Sequence, residues 1–187
     1  NIPVTVCFNK IDLVGEEEVE KLRSVYEASG YELCFFSAKK QIGIEKVREQ
    51  IKGHTIATAG PSGVGKSSLT NVLQSGVQME TGGLSEKIER GKHTTRHSQL
   101  IHIEGNTYLM DTPGFSSLNI PGLEKENLRD CYPEFRKLEP GCRFQGCSHI
   151  HEPDCAVKEA LEEGKISRIR YENYCMLYEE LKDRKKY

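Results

Sequence analysis

The sequence predicts an α/β fold, in which strands and helices alternate and a glycine-rich loop follows one of the strands. Residues 60–67 read GPSGVGKS. The β-branched run HTIATAG leads into them and is typical of a buried strand, while Leu69, Val72 and Leu73 after them have helical spacing. Two further strand-like runs end in short polar motifs, at residues 9–12 and 111–114. Ligand sites of α/β proteins form at such strand ends.

Residues 60–67 match the phosphate-binding pattern G-x-x-x-x-G-K-[ST] at every fixed position, with the required strand and helix on either side. The glycines let backbone N–H groups turn toward phosphate oxygens, and the helix N-terminus adds partial positive charge. We expect Lys66 to reach the β- and γ-phosphates and the Ser67 hydroxyl to ligate Mg²⁺. The competing interpretation is an ordinary glycine-rich turn. The nucleotide contacts predicted for this loop are Ser62, Gly63, Val64, Gly65, Lys66, Ser67 and Ser68.

Composition narrows the class of protein. The 187 residues suffice for one α/β domain with a small appendage. The 26 basic and 28 acidic side chains nearly balance, so net charge gives no argument for a nucleic-acid partner. No apolar run reaches the roughly 18 residues of a membrane span, and we expect neither a secretory signal nor membrane contact. The 7 cysteines are an odd number, which argues against a disulfide framework and favours a cytoplasmic protein.

The chain begins with residues 1–8, NIPVTVCF, which predict a buried parallel strand running directly into Asn9-Lys10-Ile11-Asp12. An NKxD motif after a strand is the guanine-reading element of GTPases. The Asp12 carboxylate can accept hydrogen bonds from guanine N1–H and the 2-amino group, which adenine does not offer together. The stem of Lys10 can cover the base, and Asn9 can tie this loop to the phosphate loop. Taken alone, the motif could also be a surface turn between a strand and a helix.

A second guanine-reading motif follows the next strand. A helix over Glu16–Ser29, ended by a glycine, precedes a strand over Tyr31–Phe36. That strand ends in Ser37-Ala38-Lys39, where the backbone N–H of Ala38 would meet guanine O6. Another short helix before the phosphate loop is marked by Ile44, Val47 and Ile51.

A long polar segment, Gln78–Arg96, follows the helix of the phosphate loop and fits no core pattern. A structureless segment of this length within a compact domain is typically functional. Its place in the chain is that of the switch I segment of GTPases, where Thr94 or Thr95 could complete the Mg²⁺ shell; we favour Thr95. The alternative is a solvated linker.

Two strands, Gln99–Ile103 and Thr107–Met110, are joined by a short glycine-containing turn. The second strand ends in Asp111-Thr112-Pro113-Gly114, the metal- and γ-phosphate-sensing motif of GTPases. Asp111 would hold Mg²⁺ through water, and the Gly114 N–H would contact the γ-phosphate. A phosphate-loop nucleoside kinase would have no use for this motif together with NKxD and SAK.

The order of these motifs differs from that of an ordinary GTPase, in which the phosphate loop comes first and NKxD and SAK come last. The chain therefore predicts a circular permutation, which leaves the site unchanged in space because the motifs follow strand ends. The usual sheet also has a strand between the NKxD strand and the phosphate-loop strand. Since no segment before Asn1 supplies it, we expect a gap there and a longer natural chain.

Residues 140–155, PGCRFQGCSHIHEPDC, predict a metal site. Cys142, Cys147, His149 and Cys155 supply three thiolates and one imidazole, the donor set of a closed, structural zinc site. His151 is the competing imidazole ligand, and buried free cysteines are the competing interpretation of the whole motif. The remaining cysteines are predicted to be core residues: Cys7, Cys34, Cys131 and Cys175.

Two helices are predicted after the metal motif. The first is opened by Pro153 and closed by Gly164, and the second covers Ile166–Arg184. The second helix is expected to turn inward Ile166, Ile169, Met176, Leu177 and Leu181. Its region carries basic residues that could contact RNA phosphates or form a solvated face among acidic neighbours: Arg168, Arg170, Arg184, Lys185 and Lys186.

The motifs in this permuted order resemble the bacterial ribosome small-subunit-dependent GTPase A family (RsgA, also called YjeQ or YloQ). The resemblance covers nearly the whole chain and rests on GPSGVGKSSL, RGKHTT, DTPGF and CRFQGCSHIHEPDCAV. It implies a circularly permuted P-loop GTPase domain over residues 1–118 and a small α-helical zinc-binding domain over residues 119–187, without the family's N-terminal OB-fold domain. It also implies a monomer that hydrolyses GTP with Mg²⁺, holds one structural Zn²⁺, and assists late maturation of the 30S ribosomal subunit through contact with 16S rRNA.

The resemblance suggests a catalytic residue. Phe115 stands where many GTPases carry a water-orienting glutamine after DxxG. His93, beside the switch threonines, is the family's candidate substitute, because an imidazole could position or polarise the water. The alternative is a histidine that only binds rRNA. The rival function is correspondingly a nucleotide-gated rRNA-binding switch in which hydrolysis is incidental, whereas the first hypothesis is a GTPase stimulated by the subunit.

Overall fold

The computed structural model describes residues 2–81, 99–111 and 122–183. In chain order the strands and helices are β1 Thr5–Phe8, α1 Glu16–Glu27, β2 Glu32–Phe35, α2 Ile44–Ile51, β3 Thr55–Thr58, α3 Lys66–Thr81, β4 Gln99–Glu104, β5 Thr107–Asp111, α4 Pro133–Arg136, α5 Ala156–Glu162 and α6 Arg168–Asp183. Short 3-10 helices cover Ile11–Leu13, Lys125–Cys131 and Glu139–Gly141. The predicted α/β class is therefore confirmed, and each predicted strand within the described ranges is present.

The strands form two sheets. One contains β1 and β2, and the other has the order β3-β5-β4. β3 is parallel to β5, and the register pairs Thr58 with Asp111. β4 is antiparallel to β5, as the short turn between them requires. Within the described ranges no strand joins β1 to β3, and the missing strand between them stays a prediction.

The described residues divide into two compact units. Among the described residues, one unit comprises 7–15, 34–81 and 99–111, and the other comprises 2–6, 16–33 and 122–183. Helix α1 thus belongs to the same unit as the C-terminal segment. The division into domains at residues 118 and 119 stays a prediction, since compactness alone does not define an evolutionary domain.

The core of the first unit lies between the β3-β5-β4 sheet and helices α2 and α3. The apolar stripe of α2 is buried as its helical spacing predicts, and Leu69 and Leu73 face it from α3. The turn before α2 needs glycine, because Gly43 has φ of 72° and a Cβ there would lie 2.8 Å from the backbone oxygen of Phe35. The buried residues of the first unit's core are Cys34, Phe36, Ala38, Ile44, Val47, Ile51, Leu69, Leu73, Ile101, Ile103 and Leu109.

Aromatic residues dominate the core of the second unit. Phe135, Tyr132 and Tyr174 pack edge-on or stacked with ring centroids 5.0–5.1 Å apart. Val157 and Ala160 of α5 are buried beside them, in agreement with the spacing seen in the sequence.

Two burial predictions for the strands are wrong. β1 and β3 alternate between exposed and half-buried residues instead of being buried throughout. The reason is that β3 is an edge strand and β1 belongs to a sheet of only two strands, so neither is enclosed on both sides. Cys7 on β1 is accordingly exposed rather than a core residue. Cys131, at the end of a 3-10 segment, is also exposed, whereas Cys34 is buried as predicted and Cys175 is half-buried.

The inward face predicted for the last helix is also partly wrong. Ile169, Met176 and Leu177 are exposed. The helix instead buries Tyr174 fully and packs Tyr171, Cys175, Tyr178 and Leu181 against the aromatic core. Tyrosines have large apolar rings, and their hydroxyl groups find partners inside, so they displace the aliphatic residues from the core face. No helix in the described ranges is both long and apolar enough to cross a membrane.

The core of the first unit predicts a contrast between two leucines. Leu73 is fully buried, so Leu73→Ala is expected to lower the free energy of unfolding by about 2–5 kcal/mol. Leu100 is 56% exposed on β4, so Leu100→Ala should change it by no more than about 0.5 kcal/mol. Urea unfolding followed by circular dichroism measures both, and equal losses would contradict the assignment of the core.

Candidate functional site

The two predicted guanine-reading motifs lie side by side. The backbone N–H of Phe36 donates to the carbonyl of Phe8 at 2.9 Å, and the N–H of Ile11 donates to the carbonyl of Phe36 at 3.4 Å. The Ser37 hydroxyl donates to Oδ1 of Asp12 at 2.5 Å. The loop after β1 and the loop after β2 are thus joined by backbone and side-chain hydrogen bonds.

The Asn9 side chain joins these loops to the phosphate loop. Its Oδ1 accepts hydrogen bonds from the backbone N–H of Lys10 at 2.7 Å and of Ala38 at 3.0 Å. Its Nδ2 donates to the carbonyl of Val64 at 2.9 Å, and Lys10 Nζ donates to the carbonyl of Gly63 at 2.8 Å. The predicted role of Asn9 is confirmed. The N–H of Ala38, predicted to meet guanine O6, here bonds Asn9.

Backbone conformation explains why these residue types occupy the junction. Gly63 and Gly65 have φ of 80° and 99°, a region that residues with a Cβ rarely adopt. A Cβ on Gly65 would overlap Nδ2 of Asn9, so the close approach of the two loops requires glycine. Lys10 also has a positive φ, of 71°, and its N–H is held there by the Asn9 side chain.

The phosphate loop connects β3 to α3, which begins at Lys66. Lys66 Nζ donates to the carbonyls of Gly60 at 2.6 Å and Pro61 at 3.0 Å, so the ammonium group lies against its own loop. Because Thr58 pairs with Asp111, the end of β5 lies beside the strand that leads into this loop.

The remaining predicted nucleotide contacts lie partly inside and partly outside the described residues. Ser62, Ser67, Ser68 and Lys39 are exposed, as ligand-binding groups need to be. The switch residues His93, Thr94 and Thr95, and Gly114 of DTPG, lie outside the described residues.

The predicted metal ligands form one cluster. The ligand atoms of Cys142, Cys147, His149 and Cys155 all lie within 4.8 Å of one another. Cys142 Sγ lies 3.9 Å from Cys155 Sγ, and Nδ1 of His149 lies 3.7 and 3.4 Å from these two sulfurs. Tetrahedral zinc with ordinary bond lengths would separate two sulfurs by about 3.8 Å and sulfur from nitrogen by about 3.6 Å. The spacing therefore fits such a metal.

Of the two candidate imidazoles, the cluster contains His149, as predicted, whereas His151 is exposed and outside it. Burial lowers the pKa of His149, which keeps its ring neutral and able to ligate. Burial raises the pKa of Cys147 to about 12 and also raises that of Cys155. At neutral pH these sulfurs hold protons unless a cation stabilises the thiolate.

Side chains around the cluster fix the loop that carries His149. The hydroxyls of Tyr171 and Tyr174 each donate at 2.7 Å, to the carbonyls of His149 and Ser148, respectively. Arg129 Nη1 donates to the carbonyl of Cys147 at 3.2 Å. The sequence analysis did not identify these three residues. The two tyrosines could have been found from their helical spacing on α6.

Glu152 supports the same loop from within. Its carboxylate accepts hydrogen bonds from the backbone N–H of Ser148 at 2.9 Å and from the Ser148 hydroxyl at 2.8 Å. Burial tends to raise the pKa of Glu152, but these hydrogen bonds outweigh burial and lower it to about 2. The carboxylate is therefore ionised at neutral pH.

Comparison with known proteins identifies the family. A family model described as RsgA GTPase matches residues 1–121. The chain belongs to the RsgA GTPase family. The small ribosomal subunit biogenesis GTPase RsgA of Agathobacter rectalis is 62% identical over 187 residues, which are 100% of this chain and 62% of that protein. The protein of the same name from Clostridium beijerinckii is 50% identical over 187 residues, again 100% of this chain and 64% of that protein.

Two solved structures share the fold. YjeQ from Thermotoga maritima has a TM-score of 0.74 at 36% identity and is matched over 98% of this chain and 61% of that one. YloQ, described as a circularly permuted GTPase, has a TM-score of 0.74 at 34% identity over 98% of this chain and 58% of that one. The predicted circular permutation is confirmed. The chain spans 62–64% of the length of the two RsgA relatives compared above.

The metal cluster of this RsgA family member predicts a contrast between two cysteines. Cys147→Ser removes a buried ligand and should leave the purified protein without bound metal, with an unfolding free energy lowered by several kcal/mol. Cys131→Ser changes an exposed cysteine outside the cluster and should leave both unchanged. Elemental analysis and thermal unfolding measure the two effects. Metal retained at wild-type content in Cys147→Ser would contradict the assigned ligand set.

Proposed function

We propose that the chain binds and hydrolyses GTP and assists the biogenesis of the small ribosomal subunit in the cytoplasm. The supporting observation is that both guanine-reading loops are bonded to each other and to the phosphate loop through Asn9 and Lys10. The loops that would recognise guanine and the loop that would bind the phosphates then form one site. The printed names of the relatives from Agathobacter rectalis and Clostridium beijerinckii supply the link to the small ribosomal subunit.

Recognition of the base would fall to residues after β1 and β2. Asp12 would accept hydrogen bonds from guanine N1–H and the 2-amino group, with Ser37 holding the carboxylate in place. The Ala38 N–H would turn from Asn9 to guanine O6, and the stems of Lys10 and Lys39 would cover the base. The chemistry excludes adenine, which presents an amino group where guanine presents an oxygen.

Phosphate binding would fall to the loop before α3. Its backbone N–H groups, from Ser62 to Ser68, would donate to phosphate oxygens, and Lys66 would leave the loop carbonyls to neutralise the β- and γ-phosphates. Ser67 and Thr95 would hold Mg²⁺, with Asp111 acting through water and Gly114 contacting the γ-phosphate. Bound Mg²⁺ supplies charge neutralisation on the phosphates.

The Cys142, Cys147, His149 and Cys155 cluster would hold one zinc ion per chain. Three sulfurs and an imidazole are the donors that zinc prefers, and a full set of four protein ligands leaves no position for substrate. The role of the metal is therefore structural. It would fasten the loops of the C-terminal segment, whose aromatic core is small.

Of the basic residues considered for RNA contact, Arg170 is engaged inside the protein with Glu134. Arg168 stays exposed and available. We propose that a monomer of this protein contacts the 30S subunit and its 16S rRNA, and that this contact stimulates GTP turnover. In the alternative, the chain is a nucleotide-gated rRNA-binding switch and hydrolysis of GTP is incidental to its function.

The proposed activity is tested first by nucleotide binding. The purified chain is expected to bind GDP in preference to ADP and to contain about one zinc per chain. Isothermal titration and elemental analysis on the same sample measure both. Equal binding of GDP and ADP would overturn the proposed guanine specificity, and absence of zinc would overturn the metal assignment alone.

Base specificity should change when Asp12 does. Asp12→Asn replaces one acceptor by a donor, which suits the C2 carbonyl of xanthine instead of the amino group of guanine. GDP should bind about 10- to 100-fold more weakly, because hydrogen bonds to a charged group contribute roughly 1.5–3 kcal/mol. Xanthosine diphosphate (XDP) should bind more tightly than it does to the unchanged protein. Asp130→Asn alters an exposed aspartate elsewhere and serves as the control. Equal weakening of GDP and XDP would speak against base reading by Asp12.

Catalysis is proposed for His93, which would position the attacking water. His93→Ala is expected to lower subunit-stimulated turnover about 100-fold or more, with binding of GDP and of 30S subunits retained. His97→Ala, four residues further along the chain, is the matched control. Phosphate release assays and co-sedimentation with subunits measure the two properties. A joint loss of turnover and subunit binding would favour the switch alternative.

A further inference from the structure

Helix α1 connects the two guanine-reading loops. It lies between Asp12 and Ser37 in the chain, separated from Asp12 only by Leu13, Val14 and Gly15, and β2 carries the chain from it to Ser37. Yet α1 belongs to the compact unit that contains the metal cluster. Within that unit it packs against α6. Both ends of α1 therefore lead directly to the residues that would read the base.

A half-buried arginine, Arg170, fastens α1 to α6. The guanidinium of Arg170 lies 5.1 Å from the ring centre of Tyr26 on α1 and 5.0 Å from the ring centre of Tyr132. Arg170 also forms an ion pair with Glu134, and the two side chains are only 12% and 3% exposed. We call these four residues, Tyr26, Tyr132, Glu134 and Arg170, the arginine clamp.

Within the arginine clamp, Glu134 and Arg170 depend on each other for charge compensation. Oε2 of Glu134 has no hydrogen-bond partner among the described residues, so Arg170 is what compensates this buried carboxylate. Burial alone would lower the pKa of Arg170, but the Glu134 carboxylate outweighs it and raises the pKa, so the cation persists. A desolvated cation over an aromatic face contributes about 2 kcal/mol.

We propose that Tyr26 and Arg170 are positioning residues for guanine recognition. By holding α1 they restrict the motion of the two chain segments that end at Asp12 and Ser37. The hydrogen bond between those two residues, at 2.5 Å, sets the carboxylate that would read the base. The phosphate loop has no such connection through α1. The inference rests on the proposed binding of guanine nucleotide, and it assigns part of the base selectivity to the metal-bearing unit.

The deciding variant is Tyr26→Leu in the full 187-residue chain. It removes the ring on α1 but leaves the ion pair and Tyr132 in place, so the C-terminal unit keeps its buried charges compensated. Tyr26→Phe keeps a ring over Arg170 and is the conservative rescue. Tyr178→Leu is the matched control, because Tyr178 packs in the same unit with Lys125 over its ring at 5.7 Å.

Three ligands separate base reading from phosphate binding: GDP, IDP, which lacks the 2-amino group, and inorganic pyrophosphate. Tyr26→Leu is expected to weaken GDP binding about fivefold and to narrow the preference for GDP over IDP, with pyrophosphate binding unchanged. Tyr26→Phe and Tyr178→Leu should keep wild-type values for all three. Equal metal content in every variant verifies that the C-terminal unit is folded.

Two results would overturn the inference. One is an unchanged GDP preference in Tyr26→Leu, and the other is a loss of GDP and pyrophosphate affinity by the same factor, which would indicate general destabilisation. A wild-type chain that binds pyrophosphate without preferring GDP over ADP or IDP would instead overturn the proposed function. The two failures are therefore distinguishable in one set of titrations.

Discussion

The proposed nucleotide site depends on the hydrogen bonds of the Asn9 side-chain amide. Its oxygen accepts from two backbone N–H groups and its nitrogen donates to a third segment, so one side chain joins residues 9, 38 and 64. An amide is suited to this because it combines donor and acceptor on adjacent atoms. Contacts of this kind are made in space and do not depend on which segment comes first in the chain. The permuted order of the motifs therefore leaves their mutual bonding intact.

What could be predicted from sequence was whatever has a strong local cause. The glycine-rich loop, the polar motifs at strand ends and the cysteine spacing each require particular residue types at fixed separations. The stripe of Ile44, Val47 and Ile51 identified the buried face of α2 because no other residue type competed for it. The choice of His149 over His151 agreed with the cluster for the same reason, since spacing limits which ring can reach the sulfurs.

What could not be predicted depends on partners distant in sequence. β1 and β3 have the composition of enclosed strands, but a strand is enclosed only if neighbours cover it, and composition does not reveal the neighbours. On α6 the aliphatic residues Ile169, Met176 and Leu177 suggested one face, while tyrosines bury another. A tyrosine can lie at the surface or in the core. Tyr171 and Tyr174 lie in the core because their hydroxyls donate hydrogen bonds to the carbonyls of His149 and Ser148. Likewise, nothing in the sequence of α1 identifies α6 as the helix on which it packs.

The loop around His149 is held by hydrogen bonds with Tyr171, Tyr174, Arg129 and Glu152, and the sulfurs of Cys142 and Cys155 lie close to its imidazole. This closeness has a cost in oxidative chemistry. With Cys142 Sγ 3.9 Å from Cys155 Sγ, an external two-electron oxidant that takes up both thiol hydrogens could join the two sulfurs in a disulfide when no metal holds them. A bound metal occupies those sulfurs and protects them. Loss of the metal and exposure to oxidants would thus act together. The oxidant would form the disulfide while the metal is absent, and the disulfide would then prevent the metal from binding again.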